Sequence, residues 1–167
     1  MQVLKENIRS RVLTVARQQF GQKGYSKTSM REIAESAGIG VGNIYNYFTN
    51  KDELFCEVVR PVLNALEAML QEHHGIWGED IMMMRSEKYL KSCIDEYVSL
   101  IDKHRGLMEI LLFRAQGSSL EHFREDYTDR STELVKAWFA SMRQKHPEIN
   151  TAVSDFIIHL HTVWMFT

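Results

Sequence analysis

SMREIAESAGIGVGNIYNYFTNKDEL, residues 29–54, reads as two short helices joined by a tight glycine turn and followed by the start of a third. Ser29 and Glu32 have the spacing of a capping box, in which each side chain satisfies an orphan backbone N–H at a helix N-terminus. A helix therefore begins at residue 29. Ile33, Ala34 and Ala37 recur at helical spacing, a narrow apolar stripe whose small alanines let another helix come close. Gly38 ends that helix, because glycine takes the left-handed conformation past a helix end without strain. Ile39 is expected as the buried plug of the turn, and Gly40 offers no side-chain cap. A second helix is predicted from Val41 to Phe48, with Ile44 and Phe48 one turn apart on its inner face.

The opposite face of that second helix carries Gly42, Asn43, Tyr45, Asn46 and Tyr47. Side-chain amides bond base edges in the major groove, tyrosine hydroxyls reach phosphate oxygens, and a helix N-terminus attracts anions. Lys51 stands at the start of the next helix, where the dipole gives a cation no reason to sit but a phosphate would. An ordinary helical hairpin with half-buried tyrosines has the same spacing, and spacing by itself leaves both readings open.

The wider string closely resembles the DNA-binding segment of the TetR (tetracycline repressor) family of bacterial regulators. The matching residues are Phe20, Gly24-Tyr25, Thr28, Ile33-Ala34, Ala37-Gly38, Ile39, Gly42, Ile44-Tyr45, Tyr47-Phe48 and Lys51-Asp52-Glu53-Leu54, about the first third of the chain. Gly40 and Val41 depart from the serine and lysine common in the family. Their loss removes a cap and a cation from the front of the reading helix. The resemblance implies DNA contacts by Thr28, Ser29, Gly42, Asn43, Tyr45, Asn46, Tyr47 and Lys51. For Thr28 a plain capping role serves equally well.

The length of 167 residues and 44% hydrophobic content suffice for a buried core. Nine glycines, two prolines and no sustained apolar–polar alternation favour an all-α fold. The charged N-terminal residues lack the apolar run of a signal peptide, and no run has membrane-spanning length. Cys56 and Cys93 lack metal-ligand spacing, which argues against a disulfide or zinc framework. These features predict a cytoplasmic protein with reduced thiols, no metal, no cofactor and no membrane partner.

The net charge of −2 conceals an asymmetry. Residues 1–51 hold eight Lys or Arg against three Glu, a balance of +5, and the rest hold twelve against nineteen acidic residues, a balance of −7. A basic head on an acidic body orients on DNA by its field.

The first helix is predicted over residues 5–22, with Ile8, Val12, Val15, Ala16 and Phe20 as its stripe. The fourth begins at Asn50, a good N-cap, and runs to about His74 with a kink at Pro61. Such a helix would couple head and body mechanically. After the 75–78 connection, Met82, Met83 and Met84 cannot all face one way, and core filling is the expected role for most of them. Helices follow over about 87–103, 106–116, 118–145 and from about 150 onward. Ser118 and Glu121 repeat the capping-box spacing. His159 and His161 are two apart on a helix and point in different directions, so a catalytic or metal site is not expected. A helical protein-interaction adaptor without specific DNA binding is the alternative reading.

These features divide the chain into a helix-turn-helix domain at 1–50 and a helical regulatory and dimerisation domain at 51–167, which the resemblance predicts to continue beyond Thr167. It also implies a homodimer on a palindromic operator and a repressor released by a small-molecule effector. Val163, Trp164 and Phe166 are expected at the dimer interface. Tyr97, Met108, Phe113, Gln116, Trp138, His159 and Trp164 are the expected effector pocket, although each singly suits a core position.

Overall fold

The computed structural model describes residues 2–75, 78–150 and 153–164. Among them every regular element is helical: α1 (Gln2–Lys23), α2 (Met30–Ser36), α3 (Val41–Ile44), α4 (Lys51–His74), a 3₁₀ turn at Met83–Arg85, α5 (Glu87–Phe113), α6 (Phe123–Lys145) and α7 (Asp155–Trp164). The chain groups into two compact units, Met1–Leu63 with His104–Glu121 and Asn64–Lys103 with His122–Thr167.

The first unit is organised by the capping box. Ser29 has extended backbone, its hydroxyl accepts the Glu32 N–H at 3.2 Å, and the Glu32 carboxylate accepts the Ser29 N–H at 3.0 Å. Gly38 has φ +64°, the left-handed value that its place behind α2 required. Ala37 is buried, whereas Ile39 is only half-buried, so the turn is plugged less deeply than its apolar side chain suggested. Asn50 caps α4, its side-chain oxygen accepting the Glu53 N–H at 2.8 Å. The core of this unit comprises Val12, Ala16 and Phe20 of α1, Ile33 and Ala34 of α2, and Leu54, Phe55, Val59 and Val62 of α4, all fully buried. Phe20 and Tyr25 meet Phe55 edge-on, with centroids 5.1 and 5.2 Å away.

Several predicted boundaries fall elsewhere. Helix α5 is continuous through Gly106, where a break was expected. The glycine does not terminate the helix, and a Cβ there would stand 3.4 Å from the Arg17 guanidinium. Residues 118–122 are not the start of the following helix. The Ser118 hydroxyl donates to Ala115 O at 2.7 Å, the Glu121 carboxylate accepts Gly117 N–H at 2.9 Å, and Ser119 N–H is taken by Asp52 of α4 at 2.8 Å. The capping-box residues are thus consumed by a turn, and α6 starts only at Phe123.

The second unit packs Leu66, Met69 and Leu70 of α4 with Tyr127, Val135, Trp138 and Met142 of α6 and Ile158 of α7. The Tyr127 hydroxyl donates to Leu66 O at 2.9 Å, and burial pushes its pKa up to about 12. His73 is buried with a carboxylate at each ring nitrogen, Glu79 at 3.2 Å and Glu96 at 3.1 Å. The final helix begins at Asp155, later than predicted, because the carbonyl of Ser154 takes the N–H groups of Ile157 and Ile158. Met82 and Met83 are exposed, contrary to core filling, because their backbone is drawn into a turn by the Asp80 carboxylate, which accepts Met82 N–H at 2.9 Å. The predicted connection residues Ile76 and Trp77 lie outside the described residues. Among the described residues no helix is long and apolar enough to cross a membrane.

Candidate nucleic-acid interface

Helix α3 is shorter than its sequence suggests. Four residues, Val41–Ile44, are α-helical, and a turn follows with Asn46 N–H donating to Asn43 O at 3.1 Å and Tyr47 N–H to Ile44 O at 3.0 Å. Gly40 supplies no side-chain cap. Gly42, the two asparagines and the two tyrosines are weak helix formers, so nothing local sustains a second α turn. What holds the element is its buried side: Ile44 is 0% and Phe48 1% exposed.

Above that anchor the predicted contact residues form one open surface. Gly42, Tyr45 and Asn46 are exposed, Asn43 and Tyr47 half-exposed, and a Cβ at Gly42 would meet nothing within 4 Å. The Asn46 amide donates to Asn43 Oδ1 at 3.1 Å, which orients both amides before any partner arrives. Ser29 is also exposed, at the N-terminus of α2, and hydrogen bonds from Lys23 and Ser29 hold the Glu32 carboxyl below the usual carboxylate range.

Thr28 and Lys51 sit differently. Thr28 is 2% exposed and its hydroxyl donates to Gly24 O at 2.8 Å, closing the corner ahead of α2. Lys51 is half-buried, and its ammonium donates to Tyr25 O at 2.8 Å and Thr28 O at 2.9 Å while lying 4.1 Å from the centre of the Tyr25 ring. Burial lowers the Lys51 pKa. These backbone acceptors give the cation a reason to sit at the helix start that no spacing rule reveals. Conversely, Lys27 is exposed beside Thr28, a cation next to the α2 terminus that motif matching passed over. Several head cations are already paired: Arg9 with Glu57 at 2.5 Å, Lys23 with Glu32 at 3.1 Å and Arg31 with Glu35 at 2.9 Å.

The residues expected to line an effector pocket are divided. Met108, Phe113 and Gln116 belong to the first compact unit, and Phe113 and Gln116 are exposed there. Tyr97, Trp138, His159 and Trp164 belong to the second, and the side chain of Trp164 lies outside the described residues. Trp138 lines a cavity of about 170 Å³ with His74, Leu134, Ala137, Ser141 and Met142. Tyr97 stacks instead on His73, and the Thr132 hydroxyl stands 3.5 Å from the ring nitrogen of His159.

Residues 12–58 match the bacterial regulatory proteins of the tetR family. The probable acrEF/envCD operon repressor of Escherichia coli (strain K12) is 31% identical over 112 residues, 65% of this chain and 48% of that protein. The regulator AcrR of Shigella flexneri is 32% identical over 66% of this chain and 51% of its own length, so the chain spans about half the length of these relatives. The regulator UidR of Escherichia coli (strain K12) is 25% identical over 95% of this chain and 79% of its own length. Among solved structures, NalD, a secondary repressor of a multidrug efflux pump in Pseudomonas aeruginosa, shares the fold with a TM-score of 0.59 at 21% identity, over 96% of this chain and 83% of that one. SCO3833 of Streptomyces coelicolor A3, described as a member of the TetR transcriptional regulator family, gives 0.59 at 23% identity over 90% and 70%. A helix-turn-helix framed by the Ser29 cap, the left-handed Gly38 and the Asn50 cap lies within residues 12–58, the stretch that matches the tetR family of bacterial regulatory proteins, and every regular element among the described residues is helical.

Proposed function

We propose that this chain is a cytoplasmic, sequence-specific DNA-binding transcriptional regulator, a homodimeric repressor released from a palindromic operator by a small molecule. The observation that carries the reading is the open amide and tyrosine face of residues 42–47 set on the fully buried Ile44 and Phe48. A helical adaptor has no use for a hydrophilic, glycine-flattened surface set on a buried anchor. The repressor role follows the names of the relatives. The 1–50 and 51–167 division is kept as a functional one, reading head and regulatory body.

In this reading Asn43 and Asn46 address base edges, Tyr45 and Tyr47 reach the backbone, and Ser29 and the exposed Lys27 meet phosphate beside the α2 terminus. Asn43→Ala is expected to cost about 1–3 kcal/mol of operator affinity and to relax preference at one base position. Duplexes selected by the protein from a random pool, titrated with wild type and variant, measure it. Equal losses on selected and scrambled duplexes would remove base reading from Asn43.

One reading element makes too few contacts for a specific site, whereas a dimer sets two about 34–36 Å apart or a multiple of that. The exposed Phe156, Ile157 and Leu160 on α7 supply apolar surface for self-association, beside the expected Val163. Of the other expected interface residues, Phe166 and the side chain of Trp164 lie outside the described residues. Sedimentation at micromolar concentration is expected to show a dimer, and Leu160→Glu to shift it toward monomer. The cavity of about 170 Å³ beside Trp138 in the second unit supports an effector site there for a very small, mostly apolar molecule.

A further inference from the structure

Helix α4 opens on two charged residues that bind two separate parts of the first compact unit. The Lys51 ammonium donates to the carbonyls of Tyr25 and Thr28, at 2.8 and 2.9 Å, in the corner that leads into α2. The Asp52 carboxylate accepts the N–H of Ser119, at 2.8 Å, in the turn that follows α5. These two parts are also joined to each other, since Tyr25 N–H donates to Arg114 O at 2.8 Å. Residues 29–50, which contain α2 and α3, form a loop whose two ends are therefore closed on one point. The closure is partly buried, and the Tyr25 ring covers the ammonium at 4.1 Å.

We infer that Lys51 and Asp52 are a positioning clip for the reading element: Lys51 closes the 29–50 loop on its own backbone instead of gripping a phosphate, and Asp52 fixes that closure to the 114–119 turn. The inference rests on the DNA-binding reading. An ammonium has three donors, and two of these are spent on carbonyls inside the fold. Delivering the charge to a phosphate would withdraw it from both, and would open the corner that sets where α2 starts. Burial, which lowers the Lys51 pKa, describes an ammonium drawn into the protein rather than extended toward solvent.

The test uses the full chain and a duplex that the wild-type protein selects from a random pool, with a scrambled duplex as reference. Lys51→Met is expected to lose about tenfold or more on the selected duplex and to keep the salt slope of the wild type, with only the small loss on the scrambled one that removing one charge from the head's field gives. A phosphate contact predicts the opposite pattern: equal losses on both duplexes and a slope flatter by about 0.9 for each of the two protomers on the site. That pattern, or a loss under about threefold at unchanged slope, overturns the clip. For Asp52→Ala the two accounts differ in sign. Removing a negative charge from the head tightens all DNA by its field alone, whereas loss of the clip weakens the selected duplex about fivefold or more and leaves the scrambled duplex equal or tighter. Tightening on both duplexes overturns the role of Asp52. Circular dichroism melts show that each variant is folded at the assay temperature. Should Lys51→Met melt below it, Lys51→Gln replaces it with the same outcomes. A wild-type protein that selects no duplex would instead overturn the DNA-binding reading, and this one with it.

Discussion

Phe55→Ala is expected to destabilise the first compact unit by about 3–5 kcal/mol and to abolish operator binding at growth temperature. Phe55 is fully buried on α4 and receives the rings of Phe20 and Tyr25 edge-on at 5.1 and 5.2 Å. Truncation removes the transfer free energy of a phenyl ring and leaves a cavity that α1 and α4 cannot close, because Phe20, Val59 and Leu54 around it are themselves fully buried. It also removes both edge-to-face pairs, each about 0.5–1.5 kcal/mol beyond area burial. Since domains of this size are stable by about 5–15 kcal/mol, the loss takes a large share of the margin. Urea unfolding followed by circular dichroism measures it, and Phe55→Leu, which keeps most of the volume, is expected to recover more than half. A change below about 1 kcal/mol for Phe55→Ala would mean that the three-ring cluster does not organise the head.

The second large effect is salt dependence. If a dimer neutralises about 6–10 phosphates, operator affinity falls by about 10³–10⁵ between 50 and 200 mM salt. That steepness is notable for a chain whose net charge is −2, because a uniform charge distribution would give a weak or inverted dependence. It follows from the balance of +5 confined to residues 1–51. The ion pairs of Arg9, Lys23 and Arg31 with Glu57, Glu32 and Glu35 reduce the share of those cations, and place the expected slope at the shallow end of the range. Titrations of a selected duplex at four salt concentrations measure the slope. Affinity independent of salt would exclude phosphate neutralisation as the source of binding and favour the adaptor reading.

Much of the head is legible without a structure because its determinants act over three or four residues. The Ser29–Glu32 box, the left-handed Gly38 and the Asn50 cap depend on neighbours within one turn, so residue type and spacing suffice to locate them. The apolar stripe of α1 is read in part: Val12, Ala16 and Phe20 are buried as helical periodicity predicts, whereas Ile8 and Val15 are only half-buried. The charge asymmetry is visible in the sequence alone. The family match at residues 12–58 covers the same stretch, as it reads the same local signals.

What only tertiary structure decided lies at longer separation. Gly106 looks like a helix break, yet α5 runs through it, with the Arg17 guanidinium, distant in sequence, 3.4 Å from where a Cβ would stand. Ser118 and Glu121 have the spacing of a cap, but Asp52 captures Ser119 N–H from 67 residues away and turns the segment into a latch on α4. Lys51 reads as a free cation until the carbonyls of Tyr25 and Thr28, 26 and 23 residues earlier, are found around its ammonium. The residues expected to line a pocket fall in two compact units, Met108, Phe113 and Gln116 in the first and Tyr97, Trp138 and His159 in the second. Local pattern determines which backbone groups need a partner within a turn, whereas which distant side chain supplies a partner depends on how the helices pack, and residue spacing does not carry that information.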